Sequence, residues 1–126
     1  MTYLYYLQET HLTMHLYRSS EGMSKLQKLD KIFLENTNLA YLLASSSSNV
    51  ENVRETFFFN QLAYRNQVEY LEKGDFLIDK TYTFEIGGKN KNNRKIYSLP
   101  DAYIVADNIE YGYDNKIPLW LFGFLY

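Results

Sequence analysis

The stretch Gly74-Asp75-Phe76-Leu77-Ile78-Asp79-Lys80-Thr81-Tyr82-Thr83-Phe84-Glu85-Ile86-Gly87-Gly88-Lys89 constrains the fold most, because its apolar residues alternate on either side of a short polar turn. Phe76 and Ile78 share one face of a first strand, and Tyr82, Phe84 and Ile86 share one face of a second. A turn centred on Lys80 pairs Ile78 with Tyr82 and Phe76 with Phe84, and it sets Asp75 opposite Glu85. Opposite residues of an antiparallel pair have Cβ atoms roughly 4.5 to 5.5 Å apart, so two carboxylates there repel. A divalent ion, the ammonium of Lys89 or a proton on one acid would compensate. Paired acids with a lysine beyond them can hold a hard metal beside a phosphodiester.

With 126 residues, 46% of them hydrophobic, the chain can bury one sizeable core and a small appendage. It contains no cysteine, which excludes disulfides, thiolate metal sites and cysteine nucleophiles, so zinc is not expected. His11 and His15 lie near the N-terminus, away from any serine-acid pattern that would make a triad. The formal net charge of −2 gives no global bias toward nucleic acid. Locally, Lys89, Lys91, Arg94 and Lys95 form a basic stretch after the acids, placed either to contact a backbone phosphate or to make a solvated loop. The opening Met-Thr-Tyr-Leu-Tyr-Tyr lacks the basic start and long apolar run of a signal peptide, and cytoplasmic location is the default expectation. Residues 117–126 are very apolar but too short for a membrane helix of about 20 residues, so this tail is expected to dock on the core or on a partner.

Thr2 to Thr10 reads as a helix with Leu4 and Leu7 inward. The alternation of Leu12, Met14 and Leu16 predicts a strand with His15 on its polar face. Arg18 to Gly22 supplies a turn, and Lys31 to Leu34 a returning strand. Asn36 or Thr37 caps a short helix to Leu43, and Ser45 to Ser48 connects. Ser48-Asn49-Val50-Glu51 has the spacing of a capping box ahead of a helix from about Asn49 to Tyr64. On that helix Glu55, Phe58, Phe59 and Leu62 fall at i, i+3, i+4 and i+7, which makes Glu55 either a third acid or a carboxylate at the edge of the core. Gln67 to Leu71 reads as the strand before the hairpin, Ala102 to Ala106 as a buried strand, and Pro118 as the first turn of a terminal helix capped by Asn115.

The strings KIFLENTNLAYLL, NVENVRETFFFNQL, GDFLIDKTYTFEIGGKNK and NKIPLWLFGFLY closely resemble the C-terminal region of a group of bacterial and archaeal AAA+-type ATPases. In those proteins a nucleotide-binding domain is followed by a winged helix and then by a poorly understood domain similar to the PD-(D/E)XK restriction-endonuclease fold. The resemblance runs from Tyr3 onward. It implies an α/β protein in which residues 1–36 are the end of the winged-helix region, and 37–126 a restriction-endonuclease-like αβββαβ sandwich. By position it implies Glu55, Asp75 and Glu85 as ligands of Mg²⁺ and Lys89 as the nearest lysine, while the basic stretch itself offers Lys91, Arg94 and Lys95 as phosphate contacts. The chain departs from the pattern in one place: Gly87 occupies the expected lysine position, and Lys89 sits one step further along, about 6.6 Å at 3.3 Å per residue.

No phosphate loop G-x-x-x-x-G-K-[ST] occurs, so ATP hydrolysis by this chain alone is not expected. Beginning inside what resembles the winged helix is consistent with an excised fragment, a truncated gene product or a shortened relative. Two functions compete. The first is an accessory, non-catalytic module that binds DNA, a protein partner or its own ATPase neighbour, the last two through 117–126, with oligomers allowed and no membrane involved. The second is a Mg²⁺-dependent DNA phosphodiesterase. A ligand module built on the 13 tyrosines is outweighed by their use in the core and rim of a small sheet.

Overall fold

A computed structural model describes residues 2–19, 29–43 and 49–125. The organising element is the helix α3 of the chain-order set α1 (Thr2–Glu9), β1 (Thr13–Tyr17), β2 (Leu29–Leu34), α2 (Thr37–Leu43) and α3 (Val50–Ala63). Asn49 caps α3, its side chain accepting from the Glu51 and Asn52 amides, and so satisfies N–H groups that a helix start leaves free. The capping-box serine, Ser48, lies outside the described residues. Thr56, Phe58, Phe59 and Leu62 form the buried face.

That face lies on a five-stranded sheet of order β3-β4-β5-β6-β7, with β3 (Val68–Tyr70), β4 (Phe76–Ile78), β5 (Tyr82–Gly87), β6 (Ala102–Ala106) and β7 (Lys116–Pro118). The pairs β3-β4 and β4-β5 are antiparallel; β5-β6 and β6-β7 are parallel. The hairpin register is the one its alternation predicts: Phe76 faces Phe84 and Ile78 faces Tyr82. Asp79 and Lys80 take positive φ (52° and 58°) in the turn. The Phe58 ring sits 5.2 Å from Phe76, 5.3 Å from Phe84 and 4.9 Å from Phe122, joining helix, sheet and tail in one core. Ile96, Ile104 and Ala106 form a second cluster, and since Val105 belongs to the first, β6 is buried on both faces.

The ribbon β1-β2 shares the main core through Leu16 and Phe33. It is also stitched to the sheet edge, where the Ser19 amide donates to the Tyr70 carbonyl at 2.8 Å. His15 corrects the expectation of a polar face: it is buried beside Thr13, with Nε2 and Thr13 Oγ1 3.1 Å apart. Leu12, expected inward, is exposed, and so is Leu7. Asn36 caps α2 by accepting from the Asn38 amide.

Two further expectations are corrected. The αβββαβ pattern places a helix between β5 and β6, but 88–101 is a run of linked turns, with bonds such as Tyr97 N to Asn93 O and Leu99 N to Ile96 O. The polar Asn90 to Asn93 run offers no apolar face for a helix to bury, and Ile96 alone becomes fully buried. Asn115 does not cap a terminal helix; its carbonyl accepts from Ile104, which makes Lys116–Pro118 a fifth strand, and a 3₁₀ helix follows over Leu119–Phe124. The tail does dock on the core through Leu119 and Phe122, while Trp120, Leu121 and Phe124 stay exposed. No helix among the described residues is long and apolar enough to cross a membrane.

Candidate acid and lysine site

Asp75 enters the hairpin from Gly74, whose φ of 145° is open to glycine and strained for other residues. A Cβ at Gly74 would also lie 2.9 Å from Thr83 Cγ2, so the bend and the close approach both require glycine. Beyond the bend the ladder changes partner. The Asp75 amide still donates to the Phe84 carbonyl at 3.0 Å, but the Ile86 amide donates to Asp75 Oδ2 at 2.7 Å. The carboxylate thus takes the place of a strand carbonyl, and Asp75 lies beside Glu85 at the fork between β4 and β5.

Glu85 is 2% exposed. Phe84 and Ile86 point to α3, so the pleat turns Glu85 to the opposite face, with Thr83 and the Ile96 cluster. A buried carboxylate needs a cation or several donors. Lys91 supplies the cation, with Nζ 3.2 Å from Glu85 Oε1 and 3.9 Å from Glu51 Oε1. Lys95 Nζ stands 3.9 Å from the same Oε1 on a largely exposed side chain. Glu85 Oε2 is buried with no hydrogen-bond partner among the described residues.

The route of Lys91 explains the glycine at the position where the resemblance calls for lysine. A Cβ on Gly87 would fall 2.5 Å from Lys91 Cδ, 2.7 Å from Cγ and 2.9 Å from Cβ. The lysine stem therefore lies across the bare backbone of Gly87 and delivers its ammonium to Glu85. Lys89 is exposed and does not make this contact; its carbonyl accepts from Lys116 Nζ at 3.2 Å. Arg94 is exposed as well, and with Lys89 and Lys95 it forms the outer side of the turn segment.

Glu55 occupies the other face, on α3, and pairs with Lys31 Nζ at 3.3 Å. Burial raises its pKa above the usual glutamate value, the charge of Asp75 raises it further, and Lys31 opposes both. Lys31 also stands 5.3 Å over the Tyr70 ring. Lys31 stands in no motif of the sequence, although a signal for it exists: it has the strand parity of buried Phe33, and a lysine on a core-facing position needs an acid. Near the α3 N-terminus, Arg54 Nε donates to Asp107 Oδ2 at 3.0 Å, and its guanidinium lies over Gly88. The site therefore sits at the carboxyl ends of β5 and β6, where open α/β sheets commonly bind ligands.

The three expected acids are not gathered into one cage. Among the described residues, no group of three or more His, Cys, Asp or Glu side chains is placed to hold a metal ion. A magnesium ion needs near-octahedral oxygen ligands at about 2.0 to 2.1 Å. Here one Glu85 oxygen faces Lys91, one Asp75 oxygen takes a backbone N–H and Glu55 faces Lys31, so the donor set as arranged does not fit the ion. A cavity of about 800 Å³ lies elsewhere, and none of these acids lines it. Comparison of the chain with protein-family models, with curated proteins and with solved structures found no match.

Proposed function

We propose that this chain is a non-catalytic contact module of restriction-endonuclease-like fold, an accessory C-terminal domain of an AAA+-type ATPase. Its acid site is a structural charge cluster. The observation that carries this reading is Lys91, which lies over Gly87 and neutralises buried Glu85 from within the chain. Lys89, Arg94 and Lys95 then face outward to contact a nucleic-acid backbone, and exposed Trp120, Leu121 and Phe124 offer an apolar contact to a protein neighbour. The sheet order, with an antiparallel β3-β4-β5 meander followed by parallel β6, supports the fold assignment.

The test is a Mg²⁺ and Mn²⁺ titration of the chain and of Asp75→Asn by calorimetry, run beside duplex-DNA binding. Neither protein is expected to show saturable metal binding. Replacing Lys89, Arg94 and Lys95 by alanine should weaken DNA binding and flatten its salt dependence by a slope of about 0.9 per lost phosphate contact. The competing reading, a Mg²⁺-dependent phosphodiesterase, draws on Glu85 Oε2, buried without a partner among the described residues, and on the raised pKa of Glu55. Saturable metal binding abolished in Asp75→Asn, together with divalent-dependent DNA cleavage, would replace the first reading by the second.

A further inference from the structure

The cavity of about 800 Å³ opens among α1, β1 and the last turns of α3, away from the acid site. Its volume falls within the roughly 300 to 1,000 Å³ of small-ligand clefts. Met14, Phe59 and Val68 make an apolar wall. The polar wall is rich in acceptors. Asn60 Nδ2 donates to the Glu35 carbonyl at 2.7 Å, and Asn66 Nδ2 donates to the Leu62 carbonyl at 3.1 Å. Carbonyls only accept, so these contacts fix both amide orientations and leave each Oδ1 without a donor among the described residues. The Glu35 carboxylate adds a third acceptor, approached by His11 Nδ1 at 3.5 Å. Glu9 lines the same space, and exposed Arg65 is the opposing cation.

Acceptors beside an apolar wall match a donor-rich head on an aliphatic stem. We propose that this cavity binds a primary amine or guanidine, its head donating to Asn60, Asn66 and Glu35 and its stem lying on Met14, Phe59 and Val68. The head could belong to a free small molecule or to a lysine or arginine side chain of a partner, and the experiment separates these sources.

Calorimetry and amide-resolved NMR of the full chain would use agmatine, an acetylated Gly-Arg-Gly amide, and N-pentylacetamide as an uncharged control of similar stem. Saturable one-to-one binding of a guanidine probe is expected, weakened at least about tenfold in Glu35→Gln and in Asn66→Leu, the scale of one charge-assisted hydrogen bond. Agmatine binding alone identifies a small-molecule site. Equal or tighter peptide binding identifies a partner side chain. Glu35→Gln keeps the backbone carbonyl that holds Asn60, and its NMR spectrum reports folding independently. The proposal is overturned if neither guanidine probe binds at millimolar concentration, if the uncharged control binds as well as agmatine, or if folded variants bind unchanged.

Discussion

Gly87→Ala tests the path of Lys91 directly. The added methyl would lie 2.5 to 2.9 Å from three atoms of the lysine stem, two of them too near the backbone to swing aside freely. The stem must lift, and the ammonium leaves Glu85 Oε1, now 3.2 Å away. Removing one partner of a buried ion pair costs about 3 to 5 kcal/mol. Lys91 is a quarter exposed and Lys95 stands 3.9 Å from the same oxygen, so solvent and a second cation reduce this to about 2 kcal/mol. Alanine restricts the unfolded chain and returns about 0.4 to 1 kcal/mol. A net loss of about 1 to 2 kcal/mol is expected in urea unfolding, read by linear extrapolation. The decisive arm is a double-mutant cycle with Lys91→Gly, which removes all three clashing atoms. In that background Gly87→Ala should be neutral or slightly stabilising, giving a coupling of about 1 to 2 kcal/mol. An equal cost of Gly87→Ala in both backgrounds would show that the glycine is needed for some reason other than the lysine.

Two further outcomes follow from buried acids. The folded pKa of Glu55 is raised by burial and then by Asp75, so the folded state binds its proton more tightly than the unfolded chain. Stability linked to this group is therefore gained as pH falls through the raised folded value toward 4.5 and is lost as pH rises through the same window. Urea unfolding across that range should show the stability of Glu55→Gln relative to the parent falling as pH falls, and carboxyl NMR should show Asp75→Asn lowering the Glu55 pKa. On β3, Glu69 is 2% exposed and held by Lys80 Nζ at 2.9 Å across the hairpin turn. Lys80→Met should cost about 1 to 3 kcal/mol by stranding the carboxylate, and adding Glu69→Gln should restore part of it. Strict additivity of the two changes would contradict the pairing.

The hairpin was legible in the sequence because period-2 alternation around a short polar turn admits one register, and a one-residue slip would turn Phe76 and Phe84 away from Phe58. The α3 span was legible for a similar reason, from its apolar i, i+3, i+4, i+7 stripe, but its cap is Asn49 and not the serine of the expected capping box. His15 was misread because alternation marks only which residues share a face, and both faces of β1 are covered. Strand β7 is three residues long, too short to show any period, and its pairing depends on the chain returning beside β6. The site acids could be placed by register, but the neutralising lysine could not. Lys89 has the right strand parity, yet β5 ends at Gly87, after which the backbone turns and parity no longer predicts position. Lys91 reaches Glu85 through space across a residue with no side chain, a relation that no spacing rule encodes.

Glu85 cannot escape its burial by a local adjustment, because Phe84 and Ile86 on either side are fixed against α3 and the tail. Its charge must be met by a group outside the strand, and a long side chain from the following loop is the nearest source. Lys91 therefore anchors the turn segment as well as balancing the acid, helped by the hydrogen bond that its backbone N–H donates to the Gly88 carbonyl and by buried Ile96. The outward residues Lys89, Arg94 and Lys95 are thus carried on a segment tied to the sheet at both ends. A tied segment loses less conformational entropy on binding than an untethered loop of the same composition. The charge inside the sheet and the basic surface proposed for contact outside it depend on each other, since neutralising Glu85 also positions Lys89, Arg94 and Lys95.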